Sequence, residues 1–208
     1  MKKIILLTSL FLFTTSIIHA QINKGSVLLG GGIGFGSNKI MDTDKKSSYI
    51  SLSPAIGIAV KQNFIIGVNL IYGHSKNNFN SPGSESHSNS YGGAIFLRKY
   101  LILGKGFFLF GETGISSQTS TITNTFTSDK NEQKIWGLSV YLYPGLSYAV
   151  NKRFHLEAGL PQLANIGFSQ SKTIVNGVTT ERDSGISGNF STSSFTNVNF
   201  GFRFFLSK

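Results

Sequence analysis

Residues 134–150 read KIWGLSVYLYPGLSYAV. Through most of this run every second residue is large and apolar: Trp136, Leu138, Val140, Leu142, Leu146 and Tyr148. Between them stand Gly137, Ser139, Tyr141, Tyr143, Gly145 and Ser147. A period of two places these sets on opposite faces of a β-strand. The run is also long. Strands of soluble proteins favour about 5–6 residues, whereas a tilted strand crossing a bilayer needs about 9–11.

The pattern recurs along the chain. Eight alternating runs span residues 25–37, 49–60, 64–75, 90–103, 107–120, 134–150, 154–169 and 195–206. In the third, Phe64, Ile66, Val68, Leu70 and Tyr72 share a face; in the last, Val198, Phe200, Phe202, Phe204 and Leu206 do. Links between runs alternate in length. Short ones lie at 61–63, 104–106 and 151–153, and long polar ones at 38–48, 76–89, 121–133 and 170–194. Short turns at one end and long loops at the other are the pattern of outer-membrane barrels. A soluble sandwich has no reason to alternate so strictly. An even strand count returns both termini to the short-turn end.

Composition narrows the class further. Charged residues are 13% of the 208, aromatics 12%, and Cys is absent. This is the reverse of a disordered chain, and it excludes disulfides and thiolate metal sites. Residues 1–20 read as a secretory signal peptide. Lys2 and Lys3 precede an apolar stretch over 4–18, and Ala20 stands before the expected cut. The apolar stretch is shorter than the roughly 20 residues of a transmembrane helix. The expected mature domain is therefore 21–208. A formal charge of +10 raises nucleic acid as a partner, but an exported chain does not normally meet it.

Several motifs could carry chemistry. The glycines of 30–36 lack the spacing and the following helix of a dinucleotide loop. Their expected role is steric, making room in a narrow lumen for Tyr141 and Tyr143. His74 and His87 have no ligand partner at metal spacing in sequence. His87-Ser88 and Asp183-Ser184 lack the spacing of a lipid deacylase. No metal, cofactor or catalytic residue is expected. Asn176-Gly177, between two β-prone triplets, signals a type I′ hairpin within the last long link. Residues 52–70 and 142–160 are identical at Leu52/Leu142, Pro54/Pro144, Ala59/Ala149, Val60/Val150, Phe64/Phe154 and Leu70/Leu160, which suggests a duplicated hairpin. Pro54 and Pro144 are expected at bulges, since Pro has no N–H for the ladder. Pro161 and Gln162 are expected to mark another.

Four charges fall within the strands: Arg98, Glu112, Glu157 and Arg203. Charge on the lipid face costs roughly 2–4 kcal/mol for Arg at mid-bilayer, so all four are expected inside as one hydrogen-bonded network. A three-residue loop at 104–106 sets Arg98 opposite Glu112. Phe96, Phe108 and Phe110 share their parity and are expected to fill the lower lumen.

The C-terminal run carries polar-x-Gly-x-x-Phe-x-Leu at Asn199, Gly201, Phe204 and Leu206. It resembles the terminal signal read by barrel assembly machinery, two residues short of the chain end. Together with the leader and the eight runs, the chain resembles the OmpA/OmpX-type outer-membrane barrel domain over about 22–208, without a peptidoglycan-binding domain. The resemblance implies an all-β, eight-stranded antiparallel up-and-down transmembrane barrel in the outer membrane of a Gram-negative-type bacterium. Outer-membrane lipid, lipopolysaccharide, the assembly machinery and an unknown loop partner follow as expected partners. The leading function is non-enzymatic, structural or surface-interacting. A narrow channel or lipid conduit is the alternative, and a lipid-modifying enzyme a third.

Lys61, Lys99, Lys105, Lys152, Arg153 and Lys208 gather at the short-turn end without an acid among them. Each is worth about 1 kcal/mol against an anionic leaflet surface. Both termini are predicted in the periplasm. Protease added to intact cells should cut only within 38–48, 76–89, 121–133 and 170–194; cleavage at Lys61 or Lys152 would invert the orientation.

Overall fold

Hydrogen bonding closes the chain on itself. The computed structural model describes residues 21–39, 46–78, 84–126, 129–160, 163–190 and 199–206. Residues 1–20, where the leader is expected, lie outside them, as does Lys208. The strands are β1 (Val27–Lys39), β2 (Lys46–Lys61), β3 (Phe64–Asn78), β4 (Glu85–Gly104), β5 (Phe107–Phe126), β6 (Asp129–Ala149), β7 (Phe154–Gly159), β8 (Ala164–Val175), β9 (Val178–Phe190) and β10 (Asn199–Leu206). Each of β1 to β6 pairs antiparallel with the next; β6 pairs with β7, β7 with β10, and β10 with β1. The result is a closed eight-stranded antiparallel barrel with no helix among the described residues.

Ten strands make eight staves because two staves are interrupted. β7 and β8 both pair with β6, end to end. β10 and β9 continue one another against them. Between Leu142 and Gly145 of β6 the seventh stave runs from Ala164 to Gly159, two residues more than its partner. The bulge expected at Pro161 and Gln162 itself lies outside the described residues. An excess of two preserves parity, so Ile166 still faces outward opposite Val140.

The expected bulges at Pro54 and Pro144 are corrected. Register is continuous through Pro54 on β1 and through Pro144 on β5. It is the other neighbour that pauses. β2 loses its pairs to β3 between Leu52 and Ala55, and β6 passes from β8 to β7 around Pro144. The missing N–H is thus accommodated by a gap in the adjoining ladder. The bulges that occur among the described residues sit near the turns, at Ala59/Lys61, Ile102/Gly104 and Thr173/Ile174. The second tightens the expected three-residue loop to Lys105-Gly106, both at positive φ. Arg98 still pairs with Glu112.

The long links are also shorter than expected, because the ladders continue into them. β5 and β6 pair as far as Phe126↔Asp129, and β8 and β9 as far as Val175↔Val178. The apolar alternation stops where the apolar belt stops. The backbone ladder does not, since Thr-rich polar runs such as 119–125 suit a strand as well. At the last hairpin Asn176 (φ 48°) and Gly177 (φ 83°) adopt the type I′ turn.

The outer face is apolar around the ring. Ile33, Leu70, Ile95, Ile115, Val140, Leu156 and Phe202 are all exposed. The inner face buries Leu28, Ile65, Phe96, Tyr100, Phe108, Phe110 and Phe205 in one cluster at the short-turn end. The segment ahead of β1 closes that end. Ile22 is buried in the cluster, and its N–H donates to Asn63 Oδ1 at 3.1 Å while the Asn63 N–H donates to its carbonyl at 3.0 Å.

Glycine is required at the seam. Gly31 lies at φ +152°, between Pro54 and Phe202, and a Cβ there would stand 2.6 Å from the Ser53 carbonyl oxygen. Above Gly31 the described part of β1 pairs with β2 alone. Replacing Gly31 by Val should therefore impair closure, by about 1–3 kcal/mol of backbone strain plus the clash. Gly185→Ala, in open space, should be neutral. Urea unfolding of the refolded barrel compares the two; equal midpoints would remove the seam constraint.

Candidate functional site

Charge inside a narrow barrel can persist only if it is paired. Arg98 lies on the inner face of β4 and is 1% exposed. Its register partner on β5 is Glu112. Arg98 Nε donates to Glu112 Oε2 at 2.7 Å, and Nη2 lies 2.6 Å from the same oxygen. From across the lumen comes Glu157 on β7. Arg98 Nη1 donates to its two oxygens at 2.9 and 2.7 Å. The guanidinium thus holds two carboxylates at once, the planar fork that arginine supplies and lysine does not.

Tyrosines complete the acceptors. Tyr100 shares the inner face of β4 two residues on; its hydroxyl donates to Glu157 Oε1 at 2.7 Å and accepts from Arg98 Nη1 at 3.1 Å. The Tyr141 hydroxyl donates to Glu112 Oε1 at 3.0 Å. Below, the Phe110 ring lies 4.5 Å from the Arg98 Cζ, and Phe96 lies further off at 5.9 Å. Aromatic faces and carboxylates together replace the water that the guanidinium gives up.

Arg203 stands at the margin. Its Nε approaches Glu157 Oε2 at 3.3 Å without hydrogen-bond alignment, and Nη1 donates to the Phe202 carbonyl at 3.1 Å. Gly30 makes its space: a Cβ there would sit 2.5 Å from the Arg203 Cδ. This corrects the expected partners of the β1 glycines. Tyr141 packs instead against Gly114, and Tyr143 against Gly159. Nearer the short turns, Ser147 Oγ and His155 Nδ1 are 3.2 Å apart, with His155 stacked on Phe108 at 5.3 Å. Both are about 1% exposed, closed to any substrate.

Sequence parity suffices to place Tyr100 beside Arg98. The union of Arg98 with Glu157, 59 residues apart, has no local signature.

The remaining candidates fall elsewhere. Asn199 and Gly201 share the lumen parity of Arg203, whereas Phe204 and Leu206 are exposed on the outer face opposite Leu29 and Val27. His87-Ser88 is on β4 and Asp183-Ser184 on β9, strands that do not adjoin. His74 and His87 are brought within 6.3 Å, ring to ring, by the β3–β4 pairing. His74 bonds Asn89 at 2.7 Å and His87 meets Glu85 at 3.1 Å. Lys76, 2.7 Å from Glu85, with His87 beside it, holds that carboxyl below the usual carboxylate range. No cluster of three metal-ligating side chains occurs among the described residues.

No protein-family model matches the chain, and no curated protein matches it. Solved structures do. Neisserial surface protein A is 16% identical at a TM-score of 0.38, over 88% of this chain and 94% of that one. A major outer membrane protein from Thermus thermophilus is 8% identical at 0.44, over 90% and 100%. The ferric yersiniabactin uptake receptor FyuA from Yersinia pestis is 12% identical at 0.35, over 76% of this chain and 26% of that one. Similarity at this level extends to neither site residues nor activity.

Arg98→Ala leaves two buried carboxylates facing one another and should cost about 3–5 kcal/mol. Glu112→Ala in that background should restore part of the loss. A double-mutant cycle by urea unfolding in vesicles measures the coupling, and a value near zero would dissolve the network. Arg203→Gln should cost much less than Glu157→Gln, since Arg203 is the partner with poor alignment.

Proposed function

We propose that this chain is an outer-membrane protein of a Gram-negative-type bacterium, exported by a cleaved leader. In this reading it is non-enzymatic, with a filled lumen and a structural or surface-interacting role. One observation supports it above the others: polarity is inside out. Ion pairs and buried aromatics occupy the interior, while the exposed outer wall is Ile, Leu, Val and Phe. Only a lipid surrounding makes that arrangement favourable, because an apolar wall in water would lose about 25 cal/mol for each Å² left exposed.

The orientation follows from the same frame. The short turns, Ile22 and Leu206 lie at one end, with exposed Lys61, Lys99, Lys105, Lys152 and Arg153. This end is assigned to the periplasm and the long hairpins to the cell surface, where they meet an extracellular partner. Asn199, Gly201, Phe204 and Leu206, on the strand that closes the ring, are assigned to recognition by the assembly machinery.

A filled lumen is favoured over a pore because Arg98, Tyr100, Phe96, Phe108 and Phe110 fill consecutive layers of it with almost no exposed surface. Eight strands leave room for side chains and little else. In a planar bilayer the protein should show no stable conductance steps. Reproducible steps from the wild-type chain would replace this reading with the narrow-channel one.

A further inference from the structure

We propose that the outer wall of β6, β8 and β9 carries a binding site for an anionic lipid with a phosphate headgroup, held by Lys134, Lys172 and Arg182. The site rests on the membrane reading above and goes beyond it by naming the residues and the lipid chemistry.

The observation is a row of like charges. Lys134 pairs in register with Lys172, and Lys172 with Arg182. Cations directly opposite one another destabilise a sheet unless something answers them. Within the protein little does. Glu132 lies 2.9 Å from Lys134, but neither Lys172 nor Arg182 forms an ion pair among the described residues. Asp183 and Glu181 flank Arg182 in sequence, so strand alternation directs their side chains away from the cationic row, although Asp183 still borders the groove beside it. At the corresponding end of β3 and β4 the arrangement differs, since Lys76 is matched by Glu85 at 2.7 Å. The row therefore calls for an anion from outside the chain.

Its surroundings select a lipid anion. Two residues down each strand, the next outward row is Trp136, Gln170 and Ser184, with Thr119 beside Trp136. Below that come Leu138, Phe168 and Ile186, then Val140 and Ile166. Trp136 and Phe168 meet edge to face at 6.2 Å. A cationic row thus surmounts a row of hydroxyl, amide and indole groups, and that row surmounts apolar wall. Rows are spaced about 7 Å apart, so the order matches phosphate, ester region and acyl chain. A groove of about 480 Å³ joins the cationic row to the row beneath it, lined by Lys134, Trp136, Gln170, Lys172, Arg182 and Ser184, with Asp183 and Thr119 among its other borders, and it ends above the apolar wall. A free phosphate ion would use the cations alone and leave the apolar rows without a role.

Trp136 is the only tryptophan of the chain, so its fluorescence reports on this site. The full-length protein is reconstituted in phosphatidylcholine vesicles with a minority of phosphatidic acid. Bromines are placed on the acyl chains of one lipid or the other, at equal amounts of brominated lipid. Phosphatidic acid should quench Trp136 more strongly than phosphatidylcholine does. Substituting Lys134→Gln, Lys172→Gln and Arg182→Gln should reduce that preference by about fivefold for each cation removed, the weight of one cation near an anionic surface. The equal charge change Lys61→Gln, Lys99→Gln and Lys105→Gln, at the far end, should leave it intact. Equal quenching by the two lipids, or equal loss in both triple variants, would overturn the site. Abolition of the preference by millimolar inorganic phosphate would reassign it to a free anion. No quenching by any brominated chain would overturn the membrane reading and this site with it, an outcome distinct from equal quenching by both lipids.

Discussion

In the bilayer setting proposed above no water reaches a backbone N–H or C=O, so each strand must be paired on both edges. Only a closed sheet meets that demand, and most of the rest follows from it. The last strand must return to the first, which makes Val27↔Leu206 to Gly31↔Phe202 the pairs that complete the ring. The close approach at Gly31 is a consequence, since a Cβ at the seam would meet the Ser53 carbonyl. So is the behaviour of Pro54 and Pro144. Neither supplies an N–H, and in both places the neighbouring stave loses its pairing instead of bulging the proline strand.

Closure with eight strands also makes the interior scarce. Half of all side chains turn inward, yet the space holds few large ones. The glycines opposite tyrosine and phenylalanine record that pressure: Gly114 under Tyr141, Gly159 under Tyr143, Gly145 against Phe110. The charges are subject to it more severely. An arginine without water in such a space needs its donors answered, and Arg98 has two carboxylates, a tyrosine hydroxyl and an aromatic face. The same residues that satisfy it block the lumen. Pairing the guanidinium and filling the lumen are one arrangement here.

The two ends of the barrel differ in how their charge is arranged. At the short-turn end, single exposed lysines stand around an apolar plug that contains Ile22. At the other, strands run on past the apolar belt as polar ladders, and charge is organised across them. On β3 and β4 that charge is balanced within the protein; on β6, β8 and β9 it is not. The unbalanced face lies directly above the apolar wall, where an anionic headgroup would be found.

The sequence by itself determined what depends on local periodicity. Alternation, with the cost of charge on an apolar face deciding β4 and β5, gave which residues face in and out, and the spacing of turns gave eight staves and the two ends. Arithmetic across one tight turn was enough to bring Arg98 opposite Glu112. It failed where a property is not local. The ladders outrun the apolar pattern because hydrogen bonds are indifferent to side-chain polarity, so the long loops of the sequence became hairpins. Arg98, Glu112, Glu157 and Arg203 were expected in one network, but which oxygens meet the guanidinium was decided by ring closure, which brings β4 to face β7 across a narrow lumen. Lys134, Lys172 and Arg182 are scattered over 49 positions of the chain. They form a row only through the register of three strands, set by the turn at Asn176-Gly177 and by the two residues that the seventh stave has in excess between Gly159 and Ala164.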